Sequence, residues 1–220
     1  MKIPTRFSVL GDSVSTFQGI TQSSGVYYAP STGAVTGVHT AEDTWWMQVI
    51  LSLGGILLAN NSWSGSTVSA AGNLGACSEG RIRKLSAEGM TPDHVLVFSG
   101  LNDISRYIPL VAFRRDYALM LRRIRDLYPD ATVSCGTLVT GYLGDPPLFP
   151  RLSYFGQRLA EYNDAIRDAA AETDVHLADL AALDGVSESR YESMDGLHPS
   201  GEGMKQLARL WLRCLKPGAD

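Results

Sequence analysis

Positive charge is not in excess in this chain: 19 Lys and Arg stand against 23 Asp and Glu, for a formal net charge of −4. That balance excludes the basic footprint of a nucleic-acid or anionic-membrane binder and leaves a small, neutral substrate as the better expectation. No apolar run reaches transmembrane length, so no membrane span is expected. The first apolar run begins at Phe7, too early for the charged, apolar and cleavage regions of an export signal, and the expected location is cytoplasmic. Cysteine is scarce and odd in number. Cys77, Cys135 and Cys214 are too far apart for a disulfide framework or a zinc site, and buried free thiols are expected. The sequence has no G-x-S-x-G elbow, S-x-x-K, P-loop or G-x-G-x-x-G, which removes support for α/β-hydrolase, β-lactamase, NTPase and dinucleotide-binding readings.

What is present is an ordinary globular composition, 45% hydrophobic and 19% charged over 220 residues, enough for one core and one domain spanning residues 1–220. Short apolar runs alternate with amphipathic stretches. Phe7 to Gly11, Ile56 to Ala59, "HVLVFSG" from His94, "ATVSCGTL" from Ala131 and "VHLADL" from Val175 read as buried strands. Helices are expected after a cap at Asp43 or Thr44 through Leu53, from about Val111 to Tyr128, from Arg151 to Thr173, and after Ser200 through Leu215. Five such alternations predict a parallel sheet covered on both faces, a three-layer α/β/α fold. The long Val14–Ala41 segment, rich in Gly, Ser and Thr, is expected to be an ordered loop, with Tyr27 and Tyr28 contributing to a lid. Asn60-Asn61-Ser62 matches a glycosylation sequon, without weight in a chain that shows no export signal.

In parallel sheets ligands sit beyond the carboxyl ends of the strands. There the sequence places Gly11-Asp12-Ser13, then "NNSWSGS" from Asn60 to Ser66, then "SGLND" from Ser99 to Asp103, and finally "DGLHPSGEG" from Asp195 to Gly203. A serine, a small-residue loop with free backbone donors, an amide side chain and an Asp with a His three residues on are the parts an acyl-transfer site requires. His94 and His176 begin strands and belong at the opposite edge of the sheet, and Asp12 and Asp103 are expected to hold loops. Trp63 adjoins the site, either lining a substrate pocket or packing.

These blocks, in this order, resemble the SGNH (GDSL-type) hydrolases, a family of esterases, lipases, thioesterases and carbohydrate deacetylases. The resemblance implies a flavodoxin-like sheet of order 2-1-3-4-5, no cofactor and no metal. It makes Ser13 the nucleophile, Asp195 and His198 the rest of the triad, and Gly65 and Asn102 donors to the oxyanion, joined by the Ser13 N–H. The expected activity is cleavage of a small-molecule carboxylic ester, with a short acyl group on a sugar or similar carrier as the first choice. A thioesterase, lysophospholipase or acyltransferase would use the same parts, and a non-catalytic ligand-binding module with this fold is the alternative of another class.

Overall fold

The computed structural model describes residues 3–69, 75–142, 158–183 and 190–216. The continuous apolar runs become the strands of a five-stranded parallel sheet: β1 (Arg6–Gly11), β2 (Ile56–Asn60), β3 (His94–Phe98), β4 (Thr132–Gly136) and, beyond a short β5 (Thr140–Tyr142), β6 (His176–Ala178). The spatial order is β2-β1-β3-β4-β6, which is the expected order once β6 is counted as the fifth strand of this sheet. β5 pairs instead with β7 (Arg190–Glu192) in a separate two-stranded sheet that the sequence reading did not include.

Helices flank the sheet. Thr44 accepts from the Met47 N–H and starts α2 (Trp45–Ser52), which follows the single turn α1 (Gly33–Thr36); Gly54, at φ +69°, turns the chain out of the helix as expected. After the short α3 (Glu79–Ile82) and α4 (Leu101–Ser105) comes α5 (Leu110–Leu127), with Phe113, Tyr117, Met120, Leu121 and Ile124 on its buried stripe. α6 (Arg158–Thr173) packs against α5, and α7 (Gly201–Leu215), capped by Ser200, packs against α2. The first residues of the expected Arg151–Thr173 helix lie outside the described residues.

The core under α2 and α7 is aromatic. Trp45 stacks on Trp211 with centroids 5.1 Å apart, and Phe98 meets both edge-on. Gly136 is required there, because a Cβ would lie 2.7 Å from Trp211 Cζ2. The Trp45 Nε1–H donates to Ser15 Oγ at 3.2 Å, so this core reaches the turn that carries Ser13. None of Cys77, Cys135 and Cys214 forms a disulfide among the described residues, and the first two are buried. Asn60 is fully buried, its amide donating to Ser15 O at 2.9 Å, so the sequon serves packing. Among the described residues no helix is long and apolar enough to cross a membrane.

Candidate active site

At the end of β1 the chain makes a 3₁₀ turn, Ser13–Ser15, started by Asp12, whose carboxylate accepts from the Val14 N–H at 3.1 Å. This turn holds Ser13 at the carboxyl edge of the sheet. The Asp195–His198 segment is closed by its own hydrogen bonds: Asp195 Oδ1 accepts from the N–H groups of Leu197 (3.0 Å) and His198 (2.7 Å), and Met194 N–H donates to His198 O at 3.0 Å. Gly196 supplies the φ of +86° that the tight loop demands. Two side-chain contacts then make a continuous line. His198 Nδ1 lies 2.7 Å from Asp195 Oδ2, and His198 Nε2 lies 2.9 Å from Ser13 Oγ.

The remaining predicted residues converge from β2 and β3. Trp63 O accepts from the Ser66 N–H at 3.1 Å across a turn with Gly65 at φ +73°, the place where such a turn calls for glycine. That turn is tied to the Ser13 strand, since Trp63 N–H (3.2 Å) and Ser66 Oγ–H (3.4 Å) both donate to Gly11 O. Asn102, in the first turn of α4, donates from its side-chain amide to Ser66 O at 3.0 Å. Trp63 is half-buried and its ring lies 5.3 Å from the guanidinium carbon of Arg81. His94 and His176 are at the far end of the strands, both within 3.1 Å of Ser134 Oγ.

The family model of the GDSL-like Lipase/Acylhydrolase family matches residues 9–206. The chain belongs to that family. Solved structures agree with it over nearly the whole length. A protein from Bacteroides uniformis described as a GDSL-like lipase is 26% identical, with 97% of this chain and 96% of that one covered at a TM-score of 0.72. A counterpart from Bacteroides ovatus is 24% identical, covering 95% and 96% at 0.71. The psychrotrophic esterase EstA of Pseudoalteromonas sp., in a structure described as inhibited by monoethylphosphonate, is 18% identical, covering 97% of each chain at 0.59. A comparison with curated proteins returns no match.

Charge at this GDSL-like site is unevenly distributed. Partial burial pushes the Asp195 carboxyl up, but hydrogen bonds from the His198 ring and from the His198 and Leu197 N–H groups outweigh it and hold the group well below the usual carboxylate range. Asp195 is therefore an anion throughout the neutral range. Asp12 and Asp103 behave oppositely: burial raises each to about 6, against the backbone N–H groups that they accept, Val14 for Asp12 and Val68 and Ser69 for Asp103. Both hold loops by those bonds, at 3.1, 2.7 and 2.9 Å, as expected from sequence.

The Asp12 shift gives a signed expectation. Its folded value, about 6, lies above its ordinary 3.8, so its contribution to stability is fully present below pH 4 and is lost as pH rises through 6. A rise of that size is worth about 3 kcal/mol. In Asp12→Asn this pH dependence disappears. Urea unfolding of both proteins at pH 4.5 and 7.5 should show the variant gaining about 2 kcal/mol on the wild type between the two, whatever its constant offset, the rest of the change falling below pH 4.5. An unchanged difference would mean that Asp12 titrates normally.

Two residues at the site were not assigned there from sequence. Arg81, 2% exposed, donates to Asn61 Oδ1 (2.5 Å), Asn61 O (2.6 Å) and Gly11 O (3.3 Å), fastening the ends of β1 and β2 beneath Trp63. Nothing in its surroundings, Glu79-Gly80-Arg81-Ile82-Arg83, distinguishes it from a solvated arginine. Tyr27, read only as part of a lid, lies flat on His198, with ring centroids 3.6 Å apart and planes 9° from parallel. Its neighbour Tyr28 is buried, donating to Pro199 O at 2.8 Å.

Proposed function

We propose that the chain is a serine esterase that cleaves short-acyl carboxylic esters through an acyl-enzyme on Ser13. The observation that carries this reading is the unbroken line from Asp195 Oδ2 through His198 to Ser13 Oγ, with contacts of 2.7 and 2.9 Å. With Nδ1–H donated to Asp195, Nε2 presents a lone pair to the serine hydroxyl, the tautomer a general base needs. Ser13 Oγ attacks the carbonyl carbon, and its proton passes to Nε2. The tetrahedral intermediate then expels the alcohol, which takes that proton. Water repeats the sequence on the acyl-serine and frees the acid.

The developing oxyanion is assigned to three donors. Among the described residues neither the Ser13 N–H nor the Gly65 N–H donates to a backbone carbonyl, so both are available. The Asn102 amide uses one hydrogen on Ser66 O (3.0 Å) and keeps the other. A short acyl group is the first choice because no long apolar stretch of the sequence resembles a lipid-binding lid.

A fluorophosphonate probe, which modifies only an activated serine, tests the reading. It is the chemistry of the phosphonate named for the Pseudoalteromonas esterase. The wild type should label and Ser13→Ala should not. Absence of labelling in a folded wild type would favour the ligand-binding module instead.

A further inference from the structure

We infer that Tyr27 is a positioning residue for this reaction, its ring face favouring the charged form of His198 at the moment the serine proton is transferred. The inference rests on the proposed role of His198 and adds to it a group from the Val14–Ala41 loop. Three contacts define the arrangement: the flat stack on His198, at 3.6 Å and 9°, the Tyr27 hydroxyl 3.3 Å from Asp195 Oδ2, and an edge contact with Tyr28 at 5.0 Å. The hydroxyl thus reaches the same carboxylate oxygen that holds His198 Nδ1.

This is not the chance resting place of a surface side chain, because the main chain on either side is fastened to both halves of the site. The Tyr27 N–H donates to Thr16 Oγ1 at 2.8 Å, and that hydroxyl donates to Ser13 O at 2.9 Å. Tyr28 O accepts from the Gln18 N–H at 2.9 Å, and the Tyr28 hydroxyl donates to Pro199 O, the residue after His198. The dipeptide therefore spans the serine turn and the acid–base segment. Three hydrogen bonds made by the dipeptide, and the one from Thr16 to Ser13 O, set the Tyr27 ring over the imidazole, and the ring itself makes none of them.

The chemistry follows from the quadrupole of the ring. Two neutral aromatic rings gain little from lying face to face, since like-signed faces meet and the preferred pairs are offset or edge-on. A cation over the same face is attracted. Parallel stacking is thus a poor match for neutral imidazole and a good one for imidazolium. In the proposed mechanism His198 gains that charge as the tetrahedral intermediate forms and gives it up as it collapses, so the stack discriminates between ground state and transition state, which is what raises turnover and not affinity. Burial, and then the Asp195 charge, push the phenol up to about 12, so Tyr27 stays a neutral donor and brings no competing anion into the site.

The test replaces Tyr27 by Phe and by phenylalanines with one, three and five fluorine atoms, in the full chain, with Leu as an endpoint and p-nitrophenyl acetate as substrate. Fluorination drains the ring face at nearly constant shape, so the series does not depend on whether Tyr27→Leu folds well. The expected result is a stepwise fall in kcat with fluorine number, about two- to thirty-fold over the series, with KM unmoved and Leu at or below the bottom. A flat series, or Leu equal to Phe, overturns the proposal, because a merely structural ring would not respond to its electron density. Ser13→Ala is assayed beside it. If that variant is inactive while the series is flat, only the role of Tyr27 fails; if it keeps wild-type turnover, the proposed function fails and the role of Tyr27 with it.

Discussion

His198→Ala is expected to lower kcat by about 10⁴- to 10⁶-fold while leaving the fold intact, and Ser13→Ala by a similar factor. The side chain of His198 is 13% exposed and its contacts are with Ser13, Asp195 and Tyr27, so truncation removes a base and opens space near the surface without breaking the core. The loop that carries it persists, because Asp195 Oδ1 still accepts from the Leu197 N–H and from the backbone N–H of residue 198. The decisive comparison is the double variant. Residues that act on one proton do not add, so Ser13→Ala with His198→Ala together should be no slower than either alone. Additive losses would mean that the two side chains serve different steps, and the proposed mechanism would be wrong. Steady-state kinetics with p-nitrophenyl acetate, alongside far-UV circular dichroism of each variant, reads the outcome.

Arg81→Met is expected to destabilise the protein by about 3–5 kcal/mol, the second large effect. Arg81 is buried, which lowers its guanidinium to about 10 against the nearby charge of Asp12, so it stays protonated at neutral pH. Methionine roughly fills the volume but donates nothing. Gly11 O retains the Trp63 N–H, whereas Asn61 loses the donors to both its backbone O and its Oδ1. Acceptors left unpaired in the interior cost their full desolvation. At about 2–4 °C per kcal/mol for a chain of this size, Tm should fall by roughly 6–20 °C. A shift in the urea midpoint with unchanged slope would place the loss in the folded state. A loss below about 1 kcal/mol would show that the strand ends do not depend on the guanidinium.

The parallel sheet was legible because its strands are buried on both faces and read as unbroken apolar runs, as in "FSVLG" or "HVLVF". The candidate residues Ser13, Gly65 and Asn102 were placed for a related reason, since they lie a few residues beyond those runs at the edge where such sheets bind ligands, whereas Asp195 and His198 were marked by their three-residue spacing before the last helix. The pair β5–β7 escaped, because "TGY" and "RYE" are three residues each and carry no alternation, and their pairing joins positions 50 residues apart, Gly141 with Tyr191. Arg81 escaped because burial of an arginine depends on carbonyls that converge only in three dimensions. The likeness of Tyr27 and Tyr28 in sequence also concealed different fates, one lying on the imidazole and the other in the core.

The partners in the 2.9 Å contact between Ser13 and His198 are 185 residues apart in the chain. At a synthesis rate of 5–20 residues per second, a ribosome that has made the serine needs roughly 10–40 s more to make the histidine. Throughout that interval β1, a central strand of the sheet, and its serine turn exist without a proton acceptor. On the proposed mechanism, reactivity towards esters is therefore withheld from the nascent chain until His198 has been made and has reached Ser13.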